Sequence, residues 1–186
     1  TWTVANNGSV DLALHAQRNT VFPELPRFGL RLFLPQEMSQ VNYYGMGPME
    51  CYCDKHHAAS HNSYTATVWQ LHEDYIRPQE NGSHFDCDYV MLAGDAVRLT
   101  AVGTQPFSFN ASHYTQEELT RKAHNYELEP CSSTVLCLDY AQNGIGSESC
   151  GPRLLEQYRL DDATFNFGLR LSLIHISEPT RHAQIS

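Results

Sequence analysis

The sequence is poor in basic residues and contains no cluster of them. Lysine and arginine number 12 against 21 aspartates and glutamates, which gives a formal net charge of -9 at pH 7. Nucleic-acid binders usually carry a cluster or stripe of lysine and arginine. The composition therefore argues against a nucleic-acid partner.

The sequence also lacks a long apolar run and a basic-then-apolar segment at its start. A membrane-spanning helix needs about 20 consecutive apolar residues, and a secretory signal pairs a basic stretch with an apolar one. We therefore expect no membrane partner and a cytoplasmic location. The first residue is Thr1 rather than Met, which we interpret as truncation rather than processing.

Cysteine is present, but its spacing does not require a disulfide framework. A chain of 186 residues can build a core as one domain without such bridges. We therefore expect free thiols in a reducing compartment. The six cysteines are Cys51, Cys53, Cys87, Cys131, Cys137 and Cys150.

Apolar and polar residues alternate with period two along most of the chain, which is typical of half-buried strands. In HFDCDYVML, for example, the pattern predicts that Phe85, Cys87, Tyr89 and Met91 share the core face. Turn-forming pairs separate such segments. The sequence therefore predicts an all-β fold, an antiparallel sandwich or barrel. The other clear segments are SVDLALHA, RFGLRLFL and FNFGLRL, and the turn pairs are Asn81-Gly82, Gly94-Asp95 and Asn143-Gly144.

One segment, YTQEELTRKAH, predicts a short helix. Thr115 is a candidate N-cap and Glu118 stands three residues later, which together form a capping box. Arg121, Lys122 and His124 lie near the end, where positive charge suits the helix dipole. We expect this helix to pack over a sheet edge.

Two segments are predicted to be neither strand nor helix: GMGPMECYCDKHHAASHNSYT and AQNGIGSESCGP. Both are rich in glycine, proline and polar residues. Loops of this length within a compact β domain are usually functional. These two segments are the first candidates for a site.

Local patterns do not assign a chemistry to either segment. The glycines of the second lack the Gly-Lys-Ser/Thr of a phosphate loop, and no neighbour is fixed to activate Cys150 as a nucleophile. The first segment offers cysteines and histidines, but its C-x-C pair is too tight for the usual zinc knuckle. We therefore expect no metal site. The residues considered for metal binding are Cys51, Cys53, His56, His57 and His61.

Paired carboxylates would be needed for a glycosidase, and the sequence contains several candidates. Nothing in the sequence order indicates that any two of them converge. The candidates are Glu50, Asp54, Asp74 and Glu80.

The final segment, LSLIHISEPTRHAQIS, follows no strand or helix period for long. It closely resembles a translated sequencing-library adapter. We therefore predict a domain over residues 1–171 and a non-native tail over residues 172–186. The underlying nucleotide sequence tests this prediction.

Four segments, in order and spacing, resemble the small chain, or C-terminal, domain of bacterial β-galactosidases of glycoside hydrolase family two. The resemblance covers residues 27–170. The segments are VNYYGMGPMECYCDKHHAASHNSYT, HEDYIRPQENGSHFDCDYVML, FSFNASHYTQEELTRKAHNYEL and LDYAQNGIGSESCGP.

The resemblance implies a large antiparallel supersandwich of the galactose mutarotase-like kind. It also implies that the parent protein hydrolyses terminal β-galactosides such as lactose with retention, using two glutamates on a separate (β/α)8 barrel domain or large chain. This fragment would carry no catalytic residue and would be inactive alone. The parent would be oligomeric and would use Mg2+ and Na+, with no cofactor in the fragment.

In that family, two loops of this domain reach the substrate rim. One matches GPMECYCDK, with Gly47 as a hinge followed by Pro48 and Glu50; Lys55 stands where many relatives have arginine. The other matches NGIGSESCGP, where some relatives present a tryptophan for sugar stacking. Here that loop is one residue shorter. Its predicted rim residues are Ser147, Glu148 and Cys150, the last near the tryptophan position.

Three alternatives remain open. Both loops could only seal the interface with the barrel. The chain could be a stand-alone carbohydrate-binding sandwich. It could also be an enzyme like aldose 1-epimerase, which would need a histidine and a carboxylate converging in a groove.

Overall fold

The computed structural model describes residues 1–21, 24–145 and 152–175. Antiparallel strands and one six-residue helix account for most of the regular structure, which confirms the all-β prediction in its general form. No helix in these ranges is long and apolar enough to cross a membrane. The strands are β1 (Trp2–Val4), β2 (Ser9–Gln17), β3 (Arg27–Pro35), β4 (Gln40–Gly47), β5 (Ser60–Thr67), β6 (Ser83–Ala93), β7 (Val97–Ser112), β8 (Ser133–Gln142) and β9 (Thr164–His175); the helix is α1 (Gln116–Arg121), and 3-10 turns lie at Val68–Leu71, Asn125–Glu127 and Glu156–Tyr158.

The strands form one antiparallel sheet in the order β1-β2-β9-β7-β6-β4-β5, and β8 joins β7 to β3. Strand β7 connects the two parts because it is 16 residues long. Its residues 97–103 pair with β9, and its residues 108–112 pair with β8. Side chains from both parts meet in one core, which includes Leu92, Phe109 and Leu138.

The predicted alternation is confirmed in β2, β3 and β9. In β9, Phe165, Phe167 and Leu169 are buried, while Asn166 and Arg170 between and beyond them are exposed. Burying an apolar side chain of this size stabilises the fold by about 1.5–3 kcal/mol. The period-two pattern therefore identified residues that hold the sheet together.

The predicted core face of β6 is wrong after Cys87. The register with β7 shifts on both sides of Cys87, and Asp86 adopts a φ of 55°. Such a bulge moves later side chains to the opposite face. Val90 and Leu92 are therefore fully buried, whereas the predicted Tyr89 and Met91 lie half-buried on the other face.

The first predicted loop is shorter than its glycine-rich and polar composition indicates. Its first three residues end β4 and its last six begin β5, so the loop proper spans residues 48–59. Among the described strands, β5 pairs with β4 alone, and Ser60, His61, Asn62 and Ser63 are exposed. An edge strand with polar residues on both faces carries no alternation to detect.

Helix α1 is confirmed, with half of the predicted capping box. Thr115 Oγ1 accepts a hydrogen bond from the Glu118 amide at 3.1 Å. The Glu118 carboxylate, however, accepts from the Glu129 amide at 3.0 Å and pairs with Arg121. The helix ends at Arg121 because Lys122 is already extended.

Strand β9 continues through His175, and its residues 173–175 pair with residues 97–99 of β7. These residues belong to the segment predicted to be adapter-derived, and residues 176–186 lie outside the described residues. Strand pairing does not reveal the origin of a sequence. The domain and tail boundaries stay predictions.

Candidate functional site

The first loop, defined here as residues 48–59, begins where β4 ends at a tightly packed glycine. A Cβ on Gly47 would lie 2.2 Å from Tyr43 Oη and 2.9 Å from Tyr64 Cδ2. The peptide bond from Gly47 to Pro48 is cis. Close packing therefore gives one reason for glycine at this position, and its predicted hinge role stays a prediction.

Glu50 lies inside the first loop, and its carboxylate is bound by three donors. Lys55 Nζ lies 2.6 Å from Oε1, the Gly82 amide donates to Oε2 at 2.8 Å, and the Tyr75 hydroxyl also donates to Oε1. Only 7% of Glu50 is exposed. The carboxylate therefore ties the first loop to the chain that precedes β6.

The ionisation of Glu50 follows from these contacts. Burial raises the pKa of a carboxyl, but the hydrogen bonds from Lys55, Tyr75 and the Gly82 amide outweigh burial and lower the pKa of Glu50 below its ordinary value. Gly82 has a φ of +71°, and a Cβ there would lie 2.3 Å from the Leu71 carbonyl oxygen. Glycine at this position lets its amide reach the carboxylate.

A tight turn forms the centre of the first loop. Tyr52 and Lys55 exchange backbone hydrogen bonds of 2.9 Å in both directions. Cys53 and Asp54 consequently lie at the tip of the turn. The Lys55 ammonium at the base of the turn is half-exposed and also donates to Tyr75 Oη at 3.3 Å.

This tip contacts the second loop, defined here as residues 143–152, of which residues 143–145 and 152 are described. Asp54 Oδ1 accepts a hydrogen bond from the Ile145 amide at 3.1 Å. Cys53 Sγ lies 3.8 Å from the Gln142 carbonyl oxygen and 3.7 Å from that of Tyr158. The two loops that the sequence singled out are therefore in direct contact.

The predicted rim residues divide into two groups. Gly47 and Glu50 are described, and both lie in or at the first loop. Ser147, Glu148 and Cys150 lie outside the described residues.

A groove of about 260 Å³ runs along the first loop. Lys55 and the imidazoles of His56 and His57 supply polar groups to it, and the exposed thioether of Met49 supplies an apolar one. Ammonium and imidazole groups form hydrogen bonds with hydroxyl-rich ligands. The rest of the lining, which includes Ala58 and Ala59, makes the groove mostly apolar.

The cysteines and histidines of this region are held by protein groups. Cys51 Sγ donates to the Met46 carbonyl at 3.3 Å, and His61 Nε2 lies 2.9 Å from the Asp86 carbonyl oxygen. In the described ranges, no three His, Cys, Asp or Glu side chains are grouped to hold a metal ion. The five described cysteines are free thiols.

An ion-pair cluster that the sequence analysis missed lies beneath both loops. Arg27 binds Asp139 through Nε and Nη2 at 3.2 and 2.5 Å, and its Nη1 lies 3.1 Å from Glu80 Oε2. Gln142 Nε2 donates to Asp139 Oδ2 and to Ser83 Oγ, both at 3.1 Å. The sequence did contain one indication, a charged Asp139 inside the apolar run TVLCLDYA, because a buried charge needs a partner.

The four carboxylates considered for a catalytic pair therefore have different binding partners. Glu50, Asp54 and Glu80 hold the amides or cations of neighbouring segments. Asp74 is largely exposed beside His72, with 3.5 Å between Oδ1 and Nε2.

A comparison with known families assigns the chain. The β-galactosidase small chain family matches residues 1–171. The chain is 47% identical over 173 residues to a β-galactosidase of Actinobacillus pleuropneumoniae, covering 93% of this chain and 17% of the relative. It is 41% identical over 174 residues to a β-galactosidase of Staphylococcus xylosus, covering 94% of this chain and 18% of the relative.

A β-galactosidase of Arthrobacter sp. strain B7 is 34% identical over 169 residues, covering 87% of this chain and 16% of that relative. The chain thus spans less than a fifth of the length of these curated relatives. Because the family match extends over most of the chain and includes both loops, the protein belongs to the β-galactosidase small chain family.

Proposed function

We propose that this chain is the C-terminal part of a retaining β-galactosidase and that its two loops form one side of the substrate rim. The observation that carries the proposal is the contact between the loops through Asp54 and the Ile145 amide. This contact brings together two segments that are far apart in sequence, as a binding rim built from both would require.

The groove along the first loop, although mostly apolar, carries polar side chains that fit this assignment. A galactoside presents several hydroxyl groups and few apolar atoms, so a rim that binds it needs donors and acceptors at its surface. Lys55, His56 and His57 supply such groups. Glu50 then serves the rim indirectly, because its carboxylate holds the Lys55 ammonium in place.

The rest of the enzyme follows as part of the same proposal. The catalytic glutamates lie on a (β/α)8 barrel domain or large chain, which is the partner of this domain in an oligomeric cytoplasmic enzyme. The complete domain is a galactose mutarotase-like supersandwich. Mg2+ and Na+ act in the parent enzyme, outside the residues described here. The isolated chain has no galactosidase activity.

A chimaera tests the proposal. The segment of the Actinobacillus pleuropneumoniae β-galactosidase that matches this chain is replaced by this chain, and lactose hydrolysis is measured. We expect an active chimaera, an inactive isolated chain and an inactive control from which the segment is deleted. Full activity of the deletion control would refute a role in completing the site.

The second loop is tested in the same chimaera. Cys150→Ala is expected to change KM for galactosides with different leaving groups, because this residue is proposed to lie at the rim. Ser147→Ala and Glu148→Gln provide the neighbouring comparisons. Unchanged kinetics in all three variants would assign the second loop to the domain interface alone.

The two alternative functions give different results with the isolated chain. Measurable galactoside binding by calorimetry would favour a stand-alone carbohydrate-binding domain. Mutarotation faster than buffer would favour an aldose 1-epimerase. We expect neither result.

A further inference from the structure

We propose that Asp54 is a positioning residue that holds residues 143–145, at the start of the second loop, against the first loop. The physical coupling is inferred from contacts between described residues. Its consequence for substrate binding rests on the proposed function.

Asp54 is held on a fixed support. The paired backbone hydrogen bonds between Tyr52 and Lys55 close the turn that carries it. The ion pair of Lys55 with Glu50 braces the base of this turn, and the Cys51 amide donates to the Ser83 carbonyl at 2.8 Å. The tip therefore presents its carboxylate from a position connected to β6.

The start of the second loop is bound on two sides. The Asn143 amide donates to the Pro26 carbonyl at 2.9 Å, and Asn143 Oδ1 accepts from the Leu160 amide at 2.9 Å. Two residues later, the Ile145 amide donates to Asp54. The path of the chain after β8 is therefore fixed at Asn143 by the hydrogen bonds to Pro26 and Leu160. It is fixed at Ile145 by the hydrogen bond to the first loop.

Asp54 and Gly144 are also in close steric contact. A Cβ on Gly144 would lie 2.6 Å from Asp54 Oδ2 and 2.4 Å from Leu154 Cδ1. The carboxylate therefore packs against the bare backbone of Gly144 as well as binding the next amide. The neighbouring Cys53 thiol contacts carbonyls on both sides of the second loop, at Gln142 and Tyr158.

These contacts make the coupling reciprocal. A displacement of the turn withdraws the acceptor of the Ile145 amide, and a displacement of Gly144 pushes on the Asp54 carboxylate. A carboxylate is a stronger acceptor for an amide than a neutral oxygen. The hydrogen bond from the Ile145 amide to Asp54 is therefore strong enough for its loss to be measured as faster exchange at single amides.

Hydrogen exchange by NMR on the full chain tests the coupling. In Asp54→Ala, we expect the Ile145 amide to exchange about tenfold faster or more, because an amide that loses a charged acceptor opens more readily. Asp54→Asn keeps an acceptor oxygen and should restore most of the protection. Asp74→Ala is the control, since this carboxylate is 82% exposed and lies in another segment.

The reverse direction uses a variant on the other loop. Gly144→Ala places a methyl group against Asp54, and we expect faster exchange at the Lys55 amide within the turn. If Asp54→Ala does not fold by circular dichroism, this variant and Asp54→Asn still decide. Wild-type exchange at Ile145 in folded Asp54→Ala, or at Lys55 in Gly144→Ala, would overturn the proposal.

Kinetics in the active chimaera separate the coupling from the proposed function. Asp54→Ala should raise KM for lactose about tenfold with kcat retained, since it removes positioning rather than reacting groups, and Asp54→Asn should restore KM. Faster exchange with an unchanged KM would refute the rim role of the second loop and leave the coupling. Unchanged exchange would refute the coupling itself.

Discussion

Glu50 provides a test of how the first loop is held. In Glu50→Gln the side chain keeps its size, but one oxygen becomes an NH2 group that only donates. The three groups now facing the carboxylate, from Lys55, Tyr75 and Gly82, are all donors. Either orientation of the amide therefore places its NH2 against a donor.

The expected loss in free energy of unfolding follows from the exposure of the groups that bind Glu50. A buried amide left without an acceptor costs about 1–3 kcal/mol, and the Gly82 amide is buried. The Lys55 side chain is 53% exposed, so its ion pair contributes at most about 1 kcal/mol. We expect Glu50→Gln to lower the free energy of unfolding by about 2 kcal/mol, or the Tm by about 4–8 °C for a chain of this size.

The stability difference between wild type and Glu50→Gln should depend on pH in a definite direction. The pKa of Glu50 is lowered in the folded protein from an ordinary value of 4.5. The charged form therefore stabilises the fold fully above about pH 4.5, and that contribution disappears as pH falls through the lower folded pKa. The difference in stability between wild type and Glu50→Gln should be constant near neutral pH and shrink in acid.

Urea unfolding followed by circular dichroism measures this difference at several pH values. Glu129→Gln is the matched control, because its carboxylate is 80% exposed and lies 3.9 Å from Lys122 Nζ. We expect a change below about 0.5 kcal/mol there. If Glu50→Gln is as stable as the control at pH 7, or its deficit persists unchanged at pH 3, the Glu50 carboxylate does not hold the first loop in this way.

Three further changes test the surrounding structure. Gly45→Ala should cost about 1–3 kcal/mol or more in urea unfolding, because its Cβ would lie 2.3 Å from Cys87 Sγ and 2.8 Å from Cys87 Cα; Cys87→Ala should not rescue it, since the backbone clash remains. Thr115→Ala should cost about 1 kcal/mol by loss of the N-cap of α1, and Thr115→Ser should not. Burial lowers the pKa of His84 to about 4 from its ordinary 6.5, so NMR should detect its protonation near pH 4, and the stability gained from its neutral form should be lost as pH falls from about 6.5 to 4.

The sequence predicts well those features that one-dimensional periodicity controls. The alternation in β9 places Phe165, Phe167 and Leu169 on one buried face, because burying these three side chains stabilises that orientation of the strand. In β6 the same rule fails after Cys87, since a bulge shifts the register with β7 on both sides of Cys87 and the faces reverse. The bulge depends on backbone packing between neighbouring strands, which local composition does not encode.

The site was predictable only in part, because its contacts join residues distant in sequence. Composition identified both loops, and the family resemblance identified Glu50. The partners of Glu50 lie 25 and 32 residues away at Tyr75 and Gly82, and Asp54 lies 91 residues from Ile145. No local pattern pairs such positions. They are brought together by the sheet order, in which β6 separates β4 from β7 and β7 carries β8.

The ion-pair cluster beneath the loops explains why the two loops share one support. Arg27 binds Glu80 and Asp139 together. Glu80 precedes the segment whose amide holds Glu50 of the first loop, whereas Asp139 binds Gln142, from which the second loop begins. A buried carboxylate is costly without its cation, so each side of this cluster requires the other.

The register of β3 and β8 makes this cluster possible. Gly29 lies opposite Asp139, where a Cβ would come within 2.5 Å of Oδ1, and the register shift between Phe28 and Gly29 lies next to Arg27. A side chain at position 29 would occupy the space that the carboxylate uses. One glycine, one arginine and one aspartate thus set the geometry of this cluster, and three of the four carboxylates that a search for catalytic pairs would select, Glu50, Asp54 and Glu80, bind amides or cations of neighbouring segments.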